Sequence, residues 1–282
     1  MKISVITINR NNEAGLEKTL QSVADQTVQP FEFIVIDGAS TDGSVNLIRS
    51  RQAAITYWVS EPDAGIYNAM NKGVAKSQGE WCLFLNSGDT LSSPTVLEQL
   101  QQAGASADII CGNAMVQEDP PRRKTPPEEI TLNFLFNGSL CHQSALIRRS
   151  LLLKHPYDET LKIVSDRKFF LQTLILETCS YQTVPIDIAD YDIGGYSATH
   201  RFASEQEYAR VLEELIPARI RQDYGQQKFG ALYGDGPYEK LFTEIGRRRW
   251  RRPVYRLVRG LLRAISPFVK SARFVRLFLE SE

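Results

Sequence analysis

The sequence predicts an α/β protein with a mostly parallel sheet and helices on both of its faces. Three observations lead there. Apolar, β-branched segments alternate with segments of helical periodicity over residues 1–200, the order that builds parallel strands joined by crossover helices. Two of the most apolar segments, 31–36 and 81–85, run straight into polar loops, Asp37-Gly38-Ala39-Ser40-Thr41-Asp42-Gly43 and Asn86-Ser87-Gly88-Asp89. In an open α/β sheet, ligands bind beyond the carboxyl ends of the strands. Oxygen-rich loops there suit a hard divalent cation and the diphosphate it carries. A nucleotide-diphosphate enzyme is therefore the first expectation.

The elements follow in order. Residues 2–8 alternate and are β-branched, a strand, and Asn9-Arg10-Asn11-Asn12 is a polar loop. Residues 13–24 carry Leu16, Leu20 and Val23 at helical spacing. A second strand at 31–36 is followed by a helix over 40–51, a short strand at 55–59 and, after the Asp63-Ala64-Gly65 loop, a helix over 66–77. The fourth strand is 81–85, with a helix over 94–102 and a short strand at 108–111. Pro-Pro pairs make 118–129 a loop or extended segment, because proline fits neither a helix interior nor a central strand. A strand is expected at 140–147, a helix over 165–177, a strand at 181–188, a Gly194-Gly195 loop, and helix from 204 to about 224.

Composition bounds the function. At 282 residues the chain can bury one sizeable core with room for an appendage, and 43% hydrophobic and 23% charged residues are ordinary for a soluble globular protein. Cys82, Cys111, Cys141 and Cys179 lack metal-ligand spacing and lie in or beside apolar segments, so buried thiols are expected. The apolar run at the start is too short for a secretory signal, and no stretch of about 18 apolar residues predicts a membrane span; the expected compartment is the cytoplasm. The net charge of zero hides an opposition. Residues 247–279 hold ten Arg, one Lys and no acid; the first 246 residues hold 31 acids against 22 basic residues. This pattern predicts an acidic body with a basic, surface-binding tail.

Six motifs, in order and at matching spacing, resemble family 2 glycosyltransferases of the GT-A fold. They are Ile6-Thr7-Ile8-Asn9-Arg10-Asn11; the Ile36 to Gly43 loop; Glu61-Pro62-Asp63-Ala64-Gly65-Ile66-Tyr67-Asn68-Ala69-Met70-Asn71-Lys72-Gly73; Gly79-Glu80-Trp81 with Asn86-Ser87-Gly88-Asp89; Cys141-His142-Gln143; and Val164-Ser165-Asp166. The likeness covers roughly residues 1–200 and is nearest the bacterial branch that builds surface polysaccharides. It implies a Rossmann-like GT-A fold, an inverting transfer of sugar from a nucleotide-diphospho-sugar to an acceptor hydroxyl, and a divalent metal, Mg²⁺ or Mn²⁺. The implied domains are a GT-A domain at 1–203, a helical extension at 204–245 and a basic amphipathic membrane-associating tail at 246–282.

The resemblance also distributes roles. Thr7, Asn9, Asn11, Asp37, Asp63, Asn71, Lys72, Ser87 and Gly88 fall on the nucleotide-sugar side. Asn86 and Gly88 stand where other members carry acids, so Asp89 is the carboxylate left for the metal; Mg²⁺ often takes only one or two protein carboxylates beside phosphates and water. His200, after the Gly194-Gly195 loop, is a candidate second metal ligand. Asp166 aligns with the general base that takes the acceptor's proton, and His142 and Gln143 line the acceptor side. Read without the resemblance, the same residues have plainer roles: an Asx turn for Asp37, a turn for Asp89, a helix-start carboxylate for Asp166 and a surface histidine for His200. Asp42 is expected to cap its helix.

In the tail, Arg256, Arg259 and Arg263 share one helical face opposite Leu257, Val258, Leu261, Leu262 and Ile265, and Lys270, Arg273 and Arg276 repeat the pattern. That arrangement suits lying flat on anionic lipid; a packed helical hairpin is the alternative, and nucleic acid is disfavoured by the acidic body. The expected partners are a nucleotide-diphospho-sugar, a saccharide acceptor linked to polyprenyl diphosphate, and the inner face of the cytoplasmic membrane. Two other readings stay open: a nucleotidyltransferase, and a membrane-bound scaffold with a degenerate glycosyltransferase domain. A dinucleotide oxidoreductase is disfavoured because the sequence has no Gly-x-Gly-x-x-Gly.

Overall fold

The computed structural model describes residues 1–118, 120–192 and 200–224. Contacts divide the chain into two units, Met1–Ile216 and Pro217–Glu282. Of the second unit the structure describes the start, where 218–224 are helical. The basic tail at 246–282 and the Gly194-Gly195 loop lie outside the described residues.

The first unit opens with three β-α repeats and a fourth strand. Strand β1 (Ile3–Asn9), helix α1 (Glu13–Ala24), strand β2 (Glu32–Asp37), helix α2 (Ser44–Arg51), strand β3 (Tyr57–Ser60), helix α3 (Ile66–Lys76) and strand β4 (Trp81–Phe84) follow in sequence. These strands pair in parallel in the order β3-β2-β1-β4. Every residue of β1 and β2 is buried. Their alternating side chains split between two cores: Ile3, Val5, Phe33 and Val35 pack with Leu16, Leu20 and Val23 of α1, and Ile6, Ile8, Ile34 and Ile36 pack with Tyr67, Met70 and Val74 of α3. A strand covered on both faces reads as a continuous apolar run. Helix α3 approaches β1 closely through Gly73, where a Cβ would stand 2.5 Å from Ile6 Cγ2. At the amino edge of the sheet the buried carboxylate of Glu32 accepts from Ser4 Oγ at 2.5 Å and from the backbone N–H groups of Gln78 (2.5 Å) and Gly79 (2.9 Å), fixing the α3–β4 turn.

The rest of the sheet is mixed in direction. It comprises β5 (Thr90–Leu91), β6 (Ile109–Gln117), β7 (Arg122–Lys124), β8 (Ala145–Arg148) and β9 (Tyr181–Asp192). The order continues β4-β8-β6-β9-β5, with β7 on β6; β8 is reversed, antiparallel to both β4 and β6, while β6 and β9 run with the first four strands. Helices α4 (Val96–Gln102), α5 (Leu132–Asn137), α6 (Arg149–Lys154), α7 (Ser165–Phe170) and α8 (Arg201–Leu215) cover it.

The structure differs from expectation at definite places. The 118–129 segment contains β7, whose Arg123 pairs with Asp187 of β9. The strand expected from 140 begins at Ala145, because His142–Ser144 forms a 3-10 turn. The helix expected over 165–177 becomes a π-helix at Leu171–Leu176. Helix α8 starts before the expected boundary at 203 and packs Tyr208, Val211, Leu212 and Ile216 into the same core as Phe169 and Phe170. All four cysteines are free, Cys82 and Cys111 buried, and burial raises the Cys82 thiol to about 11. No helix among the described residues is long and apolar enough to cross a membrane.

Candidate active site

Parallel pairing brings the ends of β1, β2, β3 and β4 to one edge. Because β8 runs antiparallel to β4, the residues that precede it return to that same edge. The site therefore draws on strand ends from the first half and on the entry to β8 from the second.

Asp37, at the end of β2, is fully buried. One carboxylate oxygen accepts from Asn9 Nδ2 (2.7 Å) and Ser40 Oγ (2.5 Å), the other from Ser40 N (2.9 Å) and Ser60 Oγ (2.6 Å). Burial pushes this carboxyl up, but the four donors outweigh it and hold it below its ordinary value. Asp37 thus gathers the ends of β1, β2 and β3. Asn9 keeps its Oδ1 buried and without a hydrogen-bond partner, as does Thr7 its Oγ1. Asn11, at φ 50°, receives Thr41 N on its side chain at 2.8 Å and gives its own N–H to Ser40 Oγ at 2.8 Å. Asp42 accepts from Glu13 N (3.0 Å) and Ser44 N (2.9 Å), at the starts of α1 and α2, the expected capping doubled.

Asp63 folds back on its own loop, accepting Gly65 N at 3.0 Å, with Arg10 3.8 Å away. Its Oδ2 lies over Gly38, where a Cβ would stand 2.2 Å away, so a glycine is required for Asp63 to sit there. Asn71 uses its amide on the backbone of Tyr157 and on Glu159, and Lys72 pairs with Glu61 at 2.7 Å and Pro62 O at 3.1 Å. Both hold loops beside the site.

The 86–89 turn closes on itself. Asp89, buried, accepts Asn86 N at 3.1 Å, and Gly88 takes φ 110° with its N–H on Thr19 Oγ1 at 3.0 Å. Asn12, which also caps α1, reaches across to Ser87 O at 2.9 Å. A hard divalent ion fits this donor set: a lone carboxylate in an oxygen-rich turn leaves most coordination positions to phosphates and water. Thiolate or imidazole clusters of the zinc type are absent among the described residues, where no three His, Cys, Asp or Glu side chains converge. His200 is exposed at the N-terminus of α8.

Asp166 sits in the first turn of α7. Its Oδ1 accepts from Tyr67 Oη at 2.9 Å and its Oδ2 lies 3.3 Å from His142 Nδ1. Burial raises this carboxyl; the hydrogen bonds from His142 and then from Tyr67 outweigh it and hold it below its ordinary value. The Tyr67 hydroxyl is pushed up by burial and by the Asp166 charge, and also donates to Ile163 O at 2.7 Å. His142 Nε2 lies 3.3 Å from Asn86 Nδ2. Asp166, His142 and Asn86 therefore form a continuous chain ending on the turn that carries Asp89. Gln143 accepts from Cys141 Sγ at 3.1 Å, beside a cavity of about 190 Å³ lined by Cys111, Lys124, Phe134, Leu140 and Cys141.

Sequence reasoning did not assign roles to Tyr67, Asn12, Ser40 or Ser60, or to Asn86 beyond a missing acid. A tyrosine on the apolar stripe of α3 was the available signal, since a buried hydroxyl needs a partner.

The chain is similar to known proteins. The family model described as Glycosyl transferase family 2 matches residues 4–165. An uncharacterized glycosyltransferase of Mycobacterium tuberculosis, Rv1514c, is 32% identical over 206 residues, 71% of this chain and 78% of the relative. The PGL/p-HBAD biosynthesis glycosyltransferase Rv2957 of the same organism is 28% identical over 70% of this chain and 79% of its own length. Among solved structures, the mannosyltransferase PcManGT from Pyrobaculum calidifontis, in complex with GDP-Man and Mn²⁺, aligns with TM-score 0.63 at 14% identity over 99% of this chain and 83% of its own. Staphylococcus aureus TarS 1-349 in complex with UDP aligns with TM-score 0.58 at 19% identity over 75% of this chain, which spans 63% of that structure.

Proposed function

The chain belongs to glycosyl transferase family 2, has the GT-A fold and is a glycosyltransferase, and from that premise we propose that it moves one sugar from a nucleotide-diphospho-sugar to an acceptor hydroxyl with inversion. The observation that carries this reading is the chain of contacts from the Asp89 turn through Asn86 and His142 to Asp166. It sets a candidate metal carboxylate and a candidate base on one edge of the sheet, as an in-line displacement requires.

In this reading Thr7, Asn9, Asp63, Ser87 and Gly88 border the donor, and the partnerless Thr7 Oγ1 and Asn9 Oδ1 supply hydrogen-bonding capacity for it. Asp37 acts from behind, holding Asn9 and Ser40 in place. Asn11, Asn71 and Lys72 shape the surrounding loops. Asp89, with His200 as a candidate second ligand, holds Mg²⁺ or Mn²⁺. When bound, the metal neutralises the diphosphate that departs. Asp166 takes the proton from the acceptor hydroxyl as its oxygen attacks the anomeric carbon, a base within hydrogen-bond reach being the requirement. His142 and Gln143 face the acceptor.

We assign the acceptor to the lipid-linked saccharides of bacterial polysaccharide or glycolipid assembly. The supporting points are the likeness to a PGL/p-HBAD biosynthesis glycosyltransferase and the basic, amphipathic 247–279 segment, which suits the anionic inner face of the cytoplasmic membrane. Purified protein is screened against UDP-, GDP- and dTDP-sugars with Mn²⁺ or Mg²⁺, following thermal stabilisation and slow donor hydrolysis. Metal-dependent stabilisation by one donor, with hydrolysis lost in Asp89→Ala, is the expected result; no response to any donor, with or without anionic vesicles, overturns the reading.

A further inference from the structure

The contacts around His142 fix its protonation pattern. The Asp166 carboxylate can only accept, so the imidazole nitrogen facing it, Nδ1, carries the proton. In a neutral ring Nε2 is then a lone pair, and the group facing it must donate. Asn86 meets that need with its amide N–H₂ at 3.3 Å, which leaves Asn86 Oδ1 buried and partnerless, as the structure has it. A carboxylate at position 86 would present only acceptors to a nitrogen without a proton. Asn86 is therefore more than a vacated metal ligand: Asp166 sets the Nδ1–H tautomer of His142, and Asn86 donates to the lone pair this leaves on Nε2.

We propose that His142 is a positioning residue for Asp166, its Nδ1–H on the carboxylate and its Nε2 held by the Asn86 amide, so that the base is tied to the donor-side turn. The proposal rests on the reading of Asp166 as the base. Tyr67 fixes one carboxylate oxygen and His142 the other, leaving each oxygen a further lone pair for the incoming hydroxyl. Because Asp89 Oδ2 holds the backbone N–H of Asn86, a shift of the donor-side turn moves the imidazole and with it the base.

The test has a spectroscopic and a kinetic arm. The chain has three histidines, His142, His155 and His200, so ¹⁵N-histidine NMR resolves each ring, and loss of a signal in His142→Gln assigns it. The expected result at neutral pH is the neutral Nδ1–H form for His142, gaining a second proton on Nε2 in Asn86→Asp, where a carboxylate replaces the donor. An Nε2–H ring or a doubly protonated ring in the wild type overturns the proposal whatever the activity. In the kinetic arm, hydrolysis of UDP-GlcNAc and GDP-mannose with Mn²⁺ is followed. His142→Ala and His142→Gln, which lacks the donor on the Asp166 side, are expected to lose about 100-fold in kcat with KM little changed. His142→Asn, whose amide stands in for Nδ1–H, is expected to recover about tenfold of that loss. Equal rates for the Asn and Gln variants, or a loss confined to KM, also overturn it. A wild type that hydrolyses neither donor counts against the donor reading of the preceding section, and the tautomer alone then decides this proposal.

Discussion

The two halves of the site are built differently. On the side proposed for the donor, most polar groups other than Thr7 Oγ1 and Asn9 Oδ1 are satisfied by neighbours at adjacent strand ends: Asp37 takes four donors from Asn9, Ser40 and Ser60, and Asn11, Asn12 and Asp42 lace the loops together. On the acceptor side, few groups are brought together over long sequence separations: Asn86 with His142, 56 residues apart, and Tyr67 with Asp166, 99 apart. The first arrangement follows from local turn chemistry and parallel pairing. The second depends on the reversal at β8 and on packing of α7. The donor side is therefore expected to fail by losing stability or affinity, and the acceptor side by losing turnover.

The sharpest way to break that contrast is Asp166→Asn. Turnover is expected to fall by about 10³-fold while nucleotide affinity, read by calorimetry, stays within about threefold; an equal loss in both would erase the distinction. Next is Asp37→Ala, which strands four donors in a buried place and is expected to cost about 3 kcal/mol in urea unfolding. Its pH dependence sharpens the point. The folded carboxyl is held below its unfolded value near 3.9, so its stabilisation is present above that value and is lost as pH falls through the lower folded one. The gap between wild type and variant should close below about pH 4.

Smaller is Gly38→Ala. The added Cβ displaces the flexible end of Asp63, so donor affinity should drop about tenfold with less than about 1 kcal/mol lost in stability. Smallest is Arg167→Lys, beside Asp166. The guanidinium lies 3.4 Å over the Tyr208 ring and reaches Gly138 O at 3.3 Å; losing that planar stack should cost about 1 kcal/mol by thermal melt. A large loss of turnover with no loss of stability would make Arg167 part of the chemistry.

The same contrast explains what the sequence revealed. Strands β1 to β4 and helices α1 to α4 were legible because alternation, buried apolar runs and capping residues act locally. In the second half, α5 is six residues, four of them apolar, and α6 follows β8 without a break, so neither shows a period long enough to read. The 3-10 turn at His142–Ser144 lies inside the stretch 140–147 expected to be one strand, its three polar residues flanked by apolar ones. Asp166 and Asp89 were picked out by resemblance to a family; from local pattern alone each was a turn or helix-start carboxylate. The link between them through Asn86 has no sequence signature, because it joins residues that only the reversed strand makes neighbours.

The reversal of β8 also has a consequence in time. A chain emerging from the ribosome has released the ends of β1 to β4 once Asp89 is out, whereas His142 and Asp166 come later and need β8 to insert beside β4 before they meet that edge. A domain folds as a unit, and Met1–Ile216 is one unit. The first four strands therefore wait for a partner more than fifty residues behind them, and the edge becomes whole only with the finished sheet.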